Sequence, residues 1–271
     1  MRRRLKVKRH GKATLAVAAL MAGPVAVACT SGPSAEEWAA TDGAAGRINL
    51  NEVQEAFKKS NSATDFEDRV NEIYEGDHIV LIRAKQDGKT LVLEGWEDLN
   101  STKAIEDGTD DLLFEVVKAN DQHELRGHGA NGYYRSGFGG GNFLFTYMIL
   151  SSMGPRGYYY NSSPGRYNTM SRNRTNYRSS NRYRSQVSRN SNYFSKQKSF
   201  AGSRYNQPKS ASRNSYLNSQ KSSGAFKSSG TGVRSRWGGG SGSSRSSISR
   251  GGFRGGGGGA SVIGAQRPSR R

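Results

Sequence analysis

From Ala130 to Arg271 the chain holds 24 lysines and arginines and not one aspartate or glutamate. All 22 acids lie between residues 30 and 129 beside ten basic residues, so that stretch carries a net −12 and the C-terminal half +24. Random mixing does not produce a 142-residue acid-free segment. The boundary near Ala130 therefore joins two stretches that meet water, and each other, on opposite electrostatic terms. With 33% hydrophobic residues and a mean hydropathy of −0.78, the chain is too polar to bury a core along its whole length. A large single-domain enzyme does not fit that balance.

The N-terminus is a separate block. Seven basic residues within Arg2–Lys12 run into the 16-residue apolar stretch Ala13–Ala28, which Gly23-Pro24 interrupts. A bilayer-spanning helix needs about 20 apolar residues. A basic start, a short apolar run and small residues at its end describe a secretory signal peptide over residues 1–28, so export is expected. Cys29, the single cysteine, follows Ala26-Val27-Ala28. This resembles the lipobox of bacterial lipoproteins, with Ala26 where that family usually has leucine. The resemblance implies cleavage before Cys29, lipidation of its thiol with palmitate-type chains, and membrane attachment through residues 29–47 as a tether. Read without it, Ala26-Val27-Ala28 is an ordinary A-x-A cleavage site that leaves a free thiol, and both readings stand.

The acidic stretch holds the regular periodicities. Asn51 is placed to cap a helix carrying Val53, Ala56 and Phe57, and Thr64 with Glu67 fits a capping box. Phe66, Val70, Ile73 and Tyr74 then recur at helical spacing before Gly76. Alternation follows in His78–Lys85 and Thr90–Trp96, around the hairpin signal Asp87-Gly88. Leu112–Lys118 and His123–Arg126 read as third and fourth strands. The expected fold is a small α+β domain over residues 48–128, two helices and then a four-stranded antiparallel meander, followed by a long disordered basic tail. At about 80 residues such a domain is large enough to fold alone with modest stability.

Catalytic and metal patterns are weak. His123-Glu124-Leu125-Arg126-Gly127-His128 has the spacing H-E-x-x-x-H, which does not set two imidazoles one helical turn apart. Asp107, Asp110 and Asp111 lack the alternating oxygens and terminal glutamate of a calcium loop, so a polar turn is expected. Gly139-Gly140-Gly141 is followed by no GK[ST]. Catalytic residues, metal ligands, cofactor and small-molecule substrate are therefore all assigned as none.

Residues 129–160 form a glycine and aromatic segment around an uncharged apolar run, Phe143–Met153, with docking on the domain and self-association as the two main readings. Residues 161–271 are low-complexity Arg, Tyr, Ser and Gly, expected to be disordered. Within them Arg172, Arg174, Arg178, Arg182, Arg184, Arg189, Arg234 and Arg236 are the expected polyanion contacts. Tyr177, Tyr183, Tyr193, Tyr205 and Trp237 belong to a row of aromatics that recurs every 6 to 12 residues and can pair with arginine. The order of Cys29, the glycine-flanked Phe143–Met153 and Ser249-Arg250-Gly251-Gly252-Phe253 resembles the YgiB-type family of uncharacterised bacterial lipoproteins, with Arg254 where glycine is expected. That resemblance covers organisation alone and implies no activity.

The expected protein is a non-catalytic envelope protein, lipid-anchored and facing the periplasm or exterior. Its tail binds anionic envelope polymers, extracellular DNA or other copies of the chain. The alternative is a secreted assembly or matrix protein that self-associates through residues 143–153 and the tail.

Overall fold

The computed structural model describes residues 34–87, 90–119, 122–139 and 158–224. Cys29, the signal segment, Phe143–Met153, Arg234, Arg236 and Trp237 lie outside the described residues. Three short helices open the fold, each with a side-chain cap. In α1 (Ala35–Ala40) the Ser34 hydroxyl accepts from the Glu37 amide while Glu37 accepts from the Ser34 amide at 2.8 Å, a complete capping box. The cap of α2 (Leu50–Lys59) is Asn49 rather than Asn51. The cap of α3 (Ala63–Ile73) is Ser62 rather than Thr64, its hydroxyl accepting from the Asp65 amide at 3.1 Å. Glu67, expected to close that cap, is instead fully buried. The apolar stripe Phe66, Val70, Ile73 and Tyr74 is buried, in keeping with its spacing.

Of these, α2 and α3 cover one face of a six-stranded antiparallel sheet, so the fold is mixed α+β. The strands are β1 (Val80–Asp87), β2 (Thr90–Glu97), β3 (Asp111–Ala119), β4 (Gln122–Gly127), β5 (Arg135–Phe138) and β6 (Tyr158–Asn161), in the order β5-β4-β3-β2-β1-β6. The four expected strands are present and consecutive, and the hairpin pairs Asp87 with Thr90. The count of four is corrected to six. A short 3-10 turn at Gly129–Asn131 returns β5 onto β4, and β6 pairs Arg83 with Asn161 on the far edge of β1. Each added strand has four residues, too few for a period-2 pattern to stand out. Alternate residues Val80, Ile82 and Ala84, with Leu93, Val116 and Leu125, meet Val53, Phe57, Phe66 and Val70 in the main core. A Cβ at Gly95 would lie 2.2 Å from the Phe114 ring of the adjacent strand, so the glycine makes room for that ring.

The largest correction concerns the tail, expected to be disordered from residue 161. The chain instead forms α4 (Pro164–Arg178), α5 (Asn181–Ala201) and α6 (Ala211–Ser223), with a 3-10 turn at Gly202–Asn206. Their local signals are conventional. Pro164 occupies the first turn of α4, and Ser180 and Ser210 cap α5 and α6 through their hydroxyls. Gly202 (φ +53°) and Gly224 (φ +66°) take the positive φ that stops a helix. The helices pack on the body: Met170 joins Ile79 and Leu81, and Leu217 joins Trp38, Ala39 and Ala44. Among the described residues no helix is long and apolar enough to cross a membrane.

The acidic body is therefore expected not to fold alone. A chain of residues 34–139 should give a poorly dispersed amide NMR spectrum and no cooperative urea transition, whereas residues 34–224 should give both. A native-like spectrum from residues 34–139 would overturn this.

Candidate functional site

The body and the C-terminal helices meet across a charged boundary in which four buried carboxylates of the body take partners from the tail. Glu97 and Asp111 are 0% and 2% exposed, and both bind Arg213 of α6, itself 1% exposed. Arg213 Nε donates to Asp111 Oδ2 at 2.8 Å, while Nη2 donates to Glu97 and lies 3.4 Å from the Tyr74 hydroxyl. Tyr74 also donates to Glu97. Burial works against the charged guanidinium, but the carboxylates of Glu97 and Asp111 outweigh it and hold Arg213 firmly protonated. Burial, with the Glu97 charge added, keeps the Tyr74 hydroxyl protonated too. Space for the pair is made at Gly46 (φ +79°), where a Cβ would lie 2.7 Å from Asp111 Oδ2. Glu67 accepts from the hydroxyls of Tyr160 at 2.6 Å and Ser162 at 2.5 Å, and from Arg166 at 3.3 Å. Glu75 accepts from the Asn190 amide at 2.6 Å.

This boundary absorbs much of the expected polyanion site. Arg174 is buried; it donates to the carbonyl oxygens of His78 and, at 2.8 Å, Asp77. Burial, reinforced by the neighbouring Arg178 charge, lowers its pKa to about 10. Arg178 donates to the carbonyls of Tyr74 and Gly76 at 3.0 and 2.9 Å, and Arg189 pairs with Glu52 at 2.9 Å. Arg172, Arg182 and Arg184 are exposed, with Arg182 near the Glu72 carboxylate. Sequence reasoning missed Arg166 and Arg213. A signal for the first existed: Arg166, Met170, Arg174 and Arg178 recur every four residues and all reach the body from α4.

The expected aromatic contacts are mostly interior. Tyr183, Tyr193 and Tyr205 are about one-twentieth exposed. Tyr177 packs edge-on against Tyr183 with centroids 6.0 Å apart. Tyr205 lies under the Arg47 guanidinium at 4.2 Å and donates to Asp42 at 3.0 Å. Phe200, 80% exposed, is the large apolar side chain left in solvent among the described residues, near Lys196 and Lys198 on α5.

His123 sits in the core between Phe57 and Phe138, where burial lowers its pKa, while the His128 imidazole bonds Glu115 at 2.8 Å. The three aspartates of the turn have separate partners. Asp107 pairs with Arg83 at 3.0 Å and Asp111 with Arg213, while Asp110 accepts the amides of Leu99 and Glu106 at 3.0 and 2.8 Å. Among the described residues no three His, Cys, Asp or Glu side chains form a metal-holding group. A polar groove of about 550 Å³ runs between α2 and α5, lined by Asn51, Glu55, Asn192 and Lys196 around the Glu52–Arg189 pair. No family model, curated protein or solved structure matches this chain.

Two outcomes test the boundary. Arg213→Ala leaves two buried carboxylates unpaired and should cost about 3–5 kcal/mol in urea unfolding. Adding Glu97→Gln and Asp111→Asn should return much of it; equal stability of the wild type and Arg213→Ala would refute the pairing. Burial raises Asp110 from 3.8 to about 6, against the pull of its two backbone donors. A raised carboxyl pKa means the folded state holds the proton more tightly, so this contribution is full below 3.8 and is lost as pH rises through 6. The stability advantage of the wild type over Asp110→Asn should therefore grow as pH falls across that window, by on the order of 2 kcal/mol. A pH-independent difference would show that Asp110 does not titrate there.

Proposed function

We propose that this chain is an exported, non-catalytic envelope protein, anchored by lipid at Cys29, that binds anionic polymers of the cell surface. The observation that carries this reading is the division of the arginines. Arg166, Arg174, Arg178, Arg189 and Arg213 bond to the acidic body, whereas Arg172, Arg182 and Arg184, exposed as Arg189 is, form no ion pair among the described residues. Residues 225–271 add nine lysines and arginines and no acid. Polyanion contact therefore belongs to the exposed arginines Arg172, Arg182 and Arg184 of α4 and α5 and to residues 225–271, with Arg234, Arg236 and Trp237 in the latter. The signal-like N-terminus directs the activity outside the membrane, where phosphate- and carboxylate-rich polymers or released DNA are the available partners. Binding of this kind is salt-sensitive and nearly blind to sequence.

Self-association through the tail aromatics draws less support, because Tyr183, Tyr193 and Tyr205 are spent on internal packing. The secreted assembly reading then depends on Phe143–Met153.

Two measurements test the proposal. On DNA, log K should fall with log salt at about −0.7 to −0.9 per phosphate neutralised. Replacing Arg172, Arg182 and Arg184 with glutamine should make that slope shallower by about 2–3. Ending the chain at Gly224 should weaken binding further; undiminished affinity in both variants would sink the assignment. For the anchor, cells fed a palmitate analogue should label the wild type and not Cys29→Ser.

A further inference from the structure

A second cationic feature uses none of the exposed arginines of α4 and α5. Between the α1 segment and the turn leading into α6 is a pocket of about 450 Å³. Its walls carry two cations, Arg47 and Lys209, and three amide side chains, Asn206, Gln207 and Asn214. Ala39, Ala40 and Ala45 supply an apolar wall. No carboxylate is among these lining residues, although the segment from which Arg47 comes holds every acid of the chain.

The two cations differ in how far they are neutralised, Arg47 pairing with Asp42 and lying over the Tyr205 ring. Arg47, 9% exposed, donates through Nη2 to the Tyr205 carbonyl at 3.0 Å and faces Asp42 at 3.6 Å, while its buried Nε has no hydrogen-bond partner. Lys209 has no carboxylate within ion-pair distance among the described residues. Burial lowers its pKa, and the charges of Arg47, Lys221 and Arg213 push the same way. A half-buried ammonium held among like charges is an arrangement that an incoming anion relieves.

We propose that this pocket binds a phosphate-bearing ligand, with Lys209 and Arg47 supplying charge and the three amides supplying further donors. The donor set favours phosphate over carboxylate: a phosphoryl group offers three outward oxygens, which suits donors spread around a cavity better than the two oxygens of one planar carboxylate. The volume holds a phosphoryl group with a small polyol attached, and the alanine wall meets the carbon part. Free phosphate esters and phospholipid headgroups share this chemistry. The inference goes beyond the proposed polymer binding and does not require it, since none of these residues is one of those exposed arginines.

The test uses the full chain in detergent-free buffer, titrated calorimetrically with inorganic phosphate, with glycerol phosphate, and with phosphatidylglycerol vesicles against phosphatidylcholine vesicles. Saturable binding of a soluble phosphate identifies the free ligand as the source. Binding to the anionic vesicles alone identifies the headgroup. In either case Lys209→Ala should weaken binding by about tenfold, the loss of one charge-assisted contact, and Lys209→Arg should retain it. Unfolding of Lys209→Ala without phosphate should occur no earlier than that of the wild type, because a desolvated, repelled cation has been removed. The Arg172, Arg182 and Arg184 glutamine variant should bind phosphate as the wild type does, which separates this site from the polymer-binding arginines. Equal affinity of Lys209→Ala and the wild type, or no heat with any of the three phosphates, overturns the site.

Discussion

The fold depends on one ion pair that reaches 116 residues along the chain, from Glu97 at the end of β2 to Arg213 in α6. Everything around it is arranged to keep it dry. Gly46 gives up its side chain, Tyr74 donates inward, and Asp111 takes the other arm of the guanidinium. Desolvating two carboxylates and a guanidinium is costly, so this cluster is weak ground for high stability. It is strong ground for specificity: a body with those acids buried is compatible with a tail that brings an arginine to one place. Glu67 with Arg166 and Glu75 with Asn190 repeat the arrangement at smaller scale.

Charge segregation along the sequence thus becomes pairing in space. Within a +24 stretch that has the composition of a bare polyelectrolyte, residues 164–223 form helices from which Arg166, Arg174, Arg178, Arg189 and Arg213 bond to the acidic body. The positive charge left facing solvent is smaller than the sequence total; in the described helical segment it includes Arg172, Arg182, Arg184, Lys196, Lys198 and Arg204.

The body is legible in the sequence because its signals are apolar and periodic: the stripe on α3 and the Asp87-Gly88 hairpin act at short range through burial and turn geometry. The C-terminal helices are not, because their inward positions are polar. On α5 the buried residues Tyr183, Gln186, Asn190, Tyr193 and Phe194 follow helical spacing, yet two of the five are amides, so a hydrophobicity pattern sees little. Arg166, Arg174 and Arg178 on one face of α4 read as solvated charge until the carboxylates and carbonyls they meet are known. The aromatic row is plain in the sequence, and three of its members, Tyr183, Tyr193 and Tyr205, are buried in the interior. Within α4 the step from Tyr167 to Tyr177, and within α5 that from Tyr183 to Tyr193, is 10 residues, close to three helical turns of about 10.8 residues, which brings each pair near one face. Gln186 and Asn190 gain meaning only from Asn49 and Glu75, more than a hundred residues away.

The position of β6 has a temporal consequence. Once Asn161 has been made, every strand of the sheet exists, but the slot between Glu97 and Asp111 stays unfilled until residue 213. At about 5–20 residues per second, the stretch from Glu97 to Arg213 takes roughly 6–23 s to synthesise. During that interval the two acids keep their water, and the body remains open to chaperones and proteases. A chain broken off anywhere between residues 162 and 212 carries the full set of strands around an unfilled ionic slot, so interrupted synthesis yields a species that quality control can distinguish from the finished protein.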